Sequence, residues 1–208
     1  WIAFLDSDDL WAPAKLERQL DALQQSAAEW SYTATRLIDS DGADIPLRAG
    51  RFTAISGRIL EPILRDETGA CVCSIVVSRS LFEAVGGFNE ELRSREDFDL
   101  EIRLAEAAEA VALPEALVRV REHPGRTTHS EAFPHESLAR IFELLLSRRP
   151  QARTARIARQ RLAVHLAEAA ARRLASGHYR RGLGLLARSL RPGAAPASAL
   201  RAIGRHLL

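Results

Sequence analysis

Methionine is absent from the 208 residues and cysteine occurs only twice, so the chain cannot be built on a disulfide framework. It opens on Trp1, inside the apolar run "WIAFL" and without Met, as expected of a piece whose preceding elements lie elsewhere. That run is too short for a secretory leader and has no basic segment before it. No stretch approaches the roughly 18–20 apolar residues of a spanning helix. Aromatics are sparse at 6%, and none is interleaved with Arg149, Arg153, Arg156 and Arg159, which disfavours nucleic-acid binding by base stacking. What remains is ordinary globular composition, 47% hydrophobic and 27% charged, with enough length for a real core.

Cys71 and Cys73 stand in "ACVCSIVVS". Alternation along a strand would point both to one face. A lone C-x-C is weak evidence for a metal, and such close neighbours on a strand make poor disulfide partners, so two small buried thiols in a reducing compartment are expected. Charge is divided between two regions. Residues 1–134 carry 14 basic against 24 acidic side chains, whereas residues 135–208 carry 15 arginines against 3 glutamates. Such asymmetry marks two regions in different environments. His123, His129 and His135 recur every six residues, a spacing that fits neither a helix face nor a zinc motif.

Residues 1–5 read as a buried strand, and Pro13 falls in the first turn of a helix carrying Leu16, Leu20 and Leu23. "WSYTATRLI" alternates like a strand before the turn "DSDGAD". "SGRILEPILRD" reads as a short helix near Pro62, "ACVCSIVVS" as a strand, and "RSLFEAVGGF" as a short helix stopped by Gly86-Gly87. A longer helix opens at Glu96, and short strands follow around Pro114. Strands alternating with helices indicate an α/β architecture. Helices are predicted over 136–149, 153–175, 178–190 and 196–207. "ASGHYRRGLGLLARSLRP" resembles one helix of a tetratricopeptide-like hairpin, though no period accompanies it.

Chemistry concentrates in three places. Asp6 and Asp8 form D-x-D at the end of the first strand, where open α/β sheets bind ligands. Two carboxylates on such a turn can hold a hard divalent cation, with substrate phosphates completing its shell. Asp9 could instead cap the following helix. Glu96 and Asp97 begin the later helix, either complementing its dipole or presenting a general base to a hydroxyl. Arg119, Arg121, His123 and Arg126 follow the last strand, as a solvated basic loop or as partners for a diphosphate. Trp11 could line the site or cover the core.

In this order, "FLDSDDLWAPAKLERQL", "SIVVSRSLFEAVGGFNEELRSREDFDLEIRLA" and "VREHPG" resemble the second half of a family 2 glycosyltransferase of the GT-A fold, over about residues 1–126. The resemblance implies a truncated GT-A, Rossmann-like α/β sheet over 1–134, followed by an Arg/Ala-rich helical region over 135–208. It implies inverting transfer of a sugar from a nucleotide-diphosphate donor to an acceptor hydroxyl. Asp8 would hold Mn²⁺ or Mg²⁺, Asp6 the metal or the donor ribose, and Asp9 would support either. Asp97 would be the general base, with Glu96 orienting acceptor or base. Arg121 and His123 would face the diphosphate, and Trp11 the acceptor. Asn89 stands where the family's GGF turn often carries Asp. The family's preceding βαβ region has no counterpart here, so the chain by itself is expected to be inactive.

Expected partners are the nucleotide-sugar donor and a saccharide or lipid-linked acceptor, in the cytoplasm. Arg149, Arg153, Arg156 and Arg159 would form a basic stripe opposite Leu162, Leu166 and Ala170, open to peripheral contact with the cytoplasmic membrane face. Two competing readings stand beside this one. A sugar nucleotidyltransferase also uses metal-binding carboxylates, and a non-enzymatic basic helical module would use only the tail.

Overall fold

The computed structural model describes residues 1–45, 52–92, 94–123 and 134–190. The predicted helix at 196–207, and the positions Arg126 and His129, lie outside these residues. Two compact units result: residues 1–91 with 96–130, and residues 92–95 with 131–208.

The first unit is a six-stranded mixed sheet with helices. Its strands are β1 (Ile2–Ala3), β2 (Leu10–Trp11), β3 (Trp30–Ile38), β4 (Asp44–Ile45), β5 (Val76–Val77) and β6 (Ala110–Arg121). They lie in the order β1-β5-β3-β6-β2, with β4 paired to β3. β3 and β6 run parallel along their whole length and form the spine; the other pairings are antiparallel. Trp30, Tyr32 and Ile38 of β3 and Val118 of β6 are fully buried. The Tyr32 hydroxyl meets the Ile55 carbonyl at 2.8 Å and the Thr68 hydroxyl at 2.9 Å, so the buried phenol has partners.

Three expectations are corrected here. The first strand is only Ile2–Ala3, because β1 pairs with a two-residue partner at one end of the sheet; Trp1 and Leu5 are exposed. "ACVCSIVVS" is not one strand. Val72–Ser74 turn as a 3-10 helix, closed by Ser74 N–H to the Cys71 carbonyl at 2.8 Å and the Ser74 hydroxyl to the same oxygen at 2.7 Å, and only Val76–Val77 pair in the sheet. Pro114 does not divide two strands. β6 runs through it, and a bulge leaves Pro114 and Glu115 unpaired opposite Thr33 and Ala34, so the missing N–H costs no ladder bond.

The helices of this unit are α1 (Lys15–Gln24), α2 (Leu60–Leu64), α3 (Arg79–Ala84) and α4 (Glu96–Ala107). Pro13 lies just ahead of α1, whose N-cap residue is Ala14, so Asp9 does not cap this helix. The Ser78 hydroxyl caps α3 by accepting from Leu81 N–H. After α3, Gly86 and Gly87 take φ of 86° and 62°, a left-handed turn that only glycine adopts freely.

The second unit consists of α5 (Pro134–Ser147), α6 (Ala152–Ala175) and α7 (Tyr179–Ser189). Ala139, Leu166, Ala169, Ala170 and Leu185 form its core, with Leu162 packed against it, as the helical spacing predicts. Arg149, Arg153, Arg156 and Arg159 are exposed. A Cβ at Gly182 would fall 2.7 Å from Leu174 Cγ, so close packing of α6 on α7 demands glycine there. Glu136 anchors the bundle between Arg173 and Arg181, and Glu143 pairs with Arg188. Among the described residues no helix is long and apolar enough to cross a membrane.

Candidate functional site

An aromatic trio brings the acidic pieces of the first unit together. Phe4, just past β1, packs on Phe82 of α3 and Phe88 of the Gly-Gly turn, with ring centroids 5.6 and 5.3 Å away; Phe82 and Phe88 are 5.9 Å apart. Arg103 of α4 ties the same turn to the helix. It donates to the Val85 and Gly87 carbonyls at 2.7 and 2.6 Å and to buried Asp99 at 2.8 Å. The chain that carries Asp6 and the first turn of α4 therefore share one scaffold. Between them lies an open cleft of about 380 Å³ lined by Ala3, Phe4, Leu5, Asp6, Val72, Phe88, Glu96 and Asp97.

Asp6, Glu96 and Asp97 thus converge on one cleft, although ninety residues separate Asp6 from Glu96. Asp6 and Glu96 are exposed and Asp97 is half-buried, with its Oδ1 accepting the Phe98 N–H at 2.8 Å. Asp8 does not line this cleft. It sits half-buried on the same loop, its Oδ2 2.9 Å from His123 Nε2. Asp9 turns inward and is 8% exposed; its Oδ1 accepts the Arg121 N–H at 2.9 Å.

Arg121 braces the loop. Its guanidinium donates to the carbonyls of Asp8, Asp39 and Ser40 at 2.9, 2.8 and 2.7 Å, which joins the "DSDD" and "DSDG" turns across the sheet. Trp11 does not line the cleft either. Its indole N–H donates to the Cys73 carbonyl at 2.9 Å, and it packs against the buried cluster of Cys73, Val118 and Val120.

Behind the cleft lie groups that strand reasoning missed. The 3-10 turn brings Cys71 and Cys73 together as free thiols, Cys73 buried and Cys71 only half-buried. A hydrogen bond from the Cys73 thiol holds Cys71 below its usual value, while this pairing and burial push Cys73 up. Gln19 of α1 fixes the turn by donating to the Ser74 carbonyl at 2.9 Å. Glu101 is buried one helical turn beyond Asp97; burial pushes its carboxyl up to about 8, opposed by a 2.6 Å hydrogen bond from Ala70 N–H. The i, i+4 spacing from Asp97 was the available signal for Glu101. Lys15 is also buried, with its Nζ 4.3 Å from the centre of the Trp11 ring.

The donor set at Asp6 and Asp8 suits a hard divalent cation. Both present carboxylates on the loop of residues 6–9, Asp6 exposed and Asp8 half-buried. With His123 they do not close into a preformed three-ligand cage. Such a cation needs substrate oxygens to complete its shell.

Comparisons with known proteins agree with this architecture. The model of the family described as "Glycosyltransferase like family 2" matches residues 1–160. An uncharacterized glycosyltransferase of Rickettsia bellii (strain RML369-C) is 30% identical over 129 residues, which cover 62% of this chain and 18% of the relative. The putative teichuronic acid biosynthesis glycosyltransferase TuaG of Bacillus subtilis (strain 168) is 40% identical over 45 residues, 22% of this chain and 18% of that protein. The chain therefore spans about a fifth of the length of these curated relatives. Among solved structures, S. aureus TarS 1–349 in complex with UDP-GlcNAc aligns with a TM-score of 0.60 at 17% identity, covering 91% of this chain and 57% of that one. At that identity the likeness concerns the fold, a GT-A-like mixed sheet followed by helices. With the family model spanning most of its length, the chain belongs to glycosyltransferase family 2.

Proposed function

We propose that this chain carries the metal and base side of an inverting glycosyl-transfer site, which moves a sugar from a nucleotide-diphosphate donor to an acceptor hydroxyl. The observation that carries the reading is the convergence of Asp6 with Glu96 and Asp97 on one cleft, within a family 2 sheet. The crystallised TarS holds UDP-GlcNAc, which supports a nucleotide-sugar as the donor class.

Asp97 is assigned as the general base. It stands at the first turn of α4, half-buried on the cleft wall, where it can take the proton of an acceptor hydroxyl as that oxygen attacks the anomeric carbon. Glu96 beside it is exposed and orients the acceptor through its hydroxyls. The nucleoside diphosphate departs from the opposite face. Asp6 and Asp8 would hold Mn²⁺ or Mg²⁺, which when bound neutralises charge on the diphosphate. His123 holds Asp8 through the 2.9 Å contact, and Arg121 keeps the loop in register through three carbonyls. Asp9 contributes from beneath, fixed to the Arg121 main chain.

The test is a screen of nucleotide-diphosphate sugars against the protein as its gene encodes it, with Mn²⁺, Mg²⁺ or chelator. The expected outcome is donor binding and turnover that chelator removes and that Asp8→Asn weakens. Metal-independent binding of the donor, unaffected by Asp8→Asn, would contradict the assignment.

A further inference from the structure

The groups behind the acidic loop differ chemically from those in front of it. Asp9, Cys71 and Cys73 bring a carboxylate oxygen and two sulfurs within 4.8 Å of one another, and among the described residues no other three His, Cys, Asp or Glu side chains converge in this way. Both cysteines are free. Cys73 and Asp9 are buried, while half-buried Cys71 leaves a way in. By itself the C-x-C pair is weak evidence for a metal, because its third member, Asp9, stands 62 residues before Cys71 in the sequence.

Two thiolates and one carboxylate form a borderline-soft donor set, suited to zinc rather than to magnesium or manganese. Tetrahedral bonds of about 2.3 Å to sulfur and about 2.1 Å to oxygen separate neighbouring ligand atoms by roughly 3.5–3.8 Å. Small side-chain adjustments bring the trio to that spacing, with a fourth position left for water.

A second observation points the same way. Lys15, the sequence's only lysine, is 0% exposed, and its Nζ has no hydrogen-bond partner. It lies over Trp11, whose indole is itself bonded to the Cys73 carbonyl. Burial lowers the ammonium to about 8, and the two thiols are the groups that raise it again. A buried cation without an acceptor is costly. A divalent ion held by two thiolates and a carboxylate carries one net negative charge, which is the counter-charge this ammonium lacks.

We propose that Asp9, Cys71 and Cys73 form a site for a thiophilic divalent cation of the zinc class, charge-balanced by Lys15 and separate from the hard-cation site at Asp6 and Asp8. On binding, the two S–H bonds break, two metal–sulfur bonds and one metal–oxygen bond form, and two protons pass to solvent. No electrons are exchanged. Cys73 Sγ already accepts the Asp6 N–H at 3.3 Å, so the ion would tie the loop of residues 6–9 to the turn of residues 71–74. The role is structural, and it does not depend on the glycosyl-transfer reading.

The test uses Co²⁺ as a spectroscopic substitute for Zn²⁺ on the reduced, full-length protein. The expected result is one equivalent bound with a near-ultraviolet sulfur-to-cobalt charge-transfer band, displaced by stoichiometric Zn²⁺ and not by excess Mg²⁺. Cys71→Ser should weaken the band and Cys71→Ser/Cys73→Ser abolish it. Asp6→Asn/Asp8→Asn should retain it, and Lys15→Met should weaken binding roughly tenfold. Because the buried Cys73 variant could fail to fold, proton release by the unaltered protein gives an independent reading, two protons per Zn²⁺ at neutral pH. Cobalt bound without a charge-transfer band, a band that survives the double cysteine variant, or Zn²⁺ uptake without proton release would each overturn the proposal.

Discussion

Asp97 and Glu101 occupy the same face of α4 one turn apart, but their surroundings set them to different tasks. Asp97 stands at the cleft wall, whereas Glu101 is buried and its carboxyl is pushed up to about 8 from an ordinary 4.5. An acid whose folded-state value is raised binds more protons folded than unfolded between those two values. Its stabilising effect is therefore complete below pH 4.5 and is lost as pH rises through 8. Glu101→Gln, which keeps an oxygen for Ala70 N–H, should flatten the Tm profile across this range and raise Tm at pH 8. A variant with the unaltered slope would show that Glu101 is not the titrating group. The acids themselves were legible from spacing and order. Their partners were not: His123 reaches Asp8, and Arg121 reaches Asp9, across more than a hundred residues.

At the scale of elements, the short pieces between the strands decide where the carboxylates meet. Arg103 joins the Gly86-Gly87 turn to α4 through two carbonyls and Asp99, whose side chain is 1% exposed. Arg103→Met leaves that carboxylate buried without its cation and should cost about 3–5 kcal/mol in denaturant unfolding. Gly87→Ala places a Cβ 3.3 Å from Phe82 Cζ at φ of 62°, and should cost about 1–2 kcal/mol. Unchanged unfolding midpoints would mean that the turn does not hold the helix. These elements also mark where sequence reading stopped. The helix at 96 and the three described helices between 134 and 189 follow their periodicity closely. "ACVCSIVVS" has the composition of a strand, yet local bonds to the Cys71 carbonyl and the Gln19 amide curl it into a turn. Pro114 reads as a break, yet a bulge absorbs it.

At the scale of the whole molecule, the chain divides into an acidic sheet unit and a basic helical unit, and each is described by its own packing. In the helical unit, Gly182→Ala would force a Cβ against Leu174 and the Ala170 carbonyl and should cost about 1–3 kcal/mol. Hydrogen exchange should then quicken in α6 and α7 while the β3–β6 ladder keeps its protection; equal loss in both would show the two units unfolding as one. The charge division was visible along the sequence, and it falls close to the division between these units. The central claim is that Asp97 removes the acceptor's proton. Single-turnover transfer by the protein as its gene encodes it, with a nucleotide-sugar donor and Mn²⁺, tests this most directly. Asp97→Asn should lower the rate by about 10²–10⁴ while leaving donor affinity unchanged. Transfer at the unaltered rate would contradict the account.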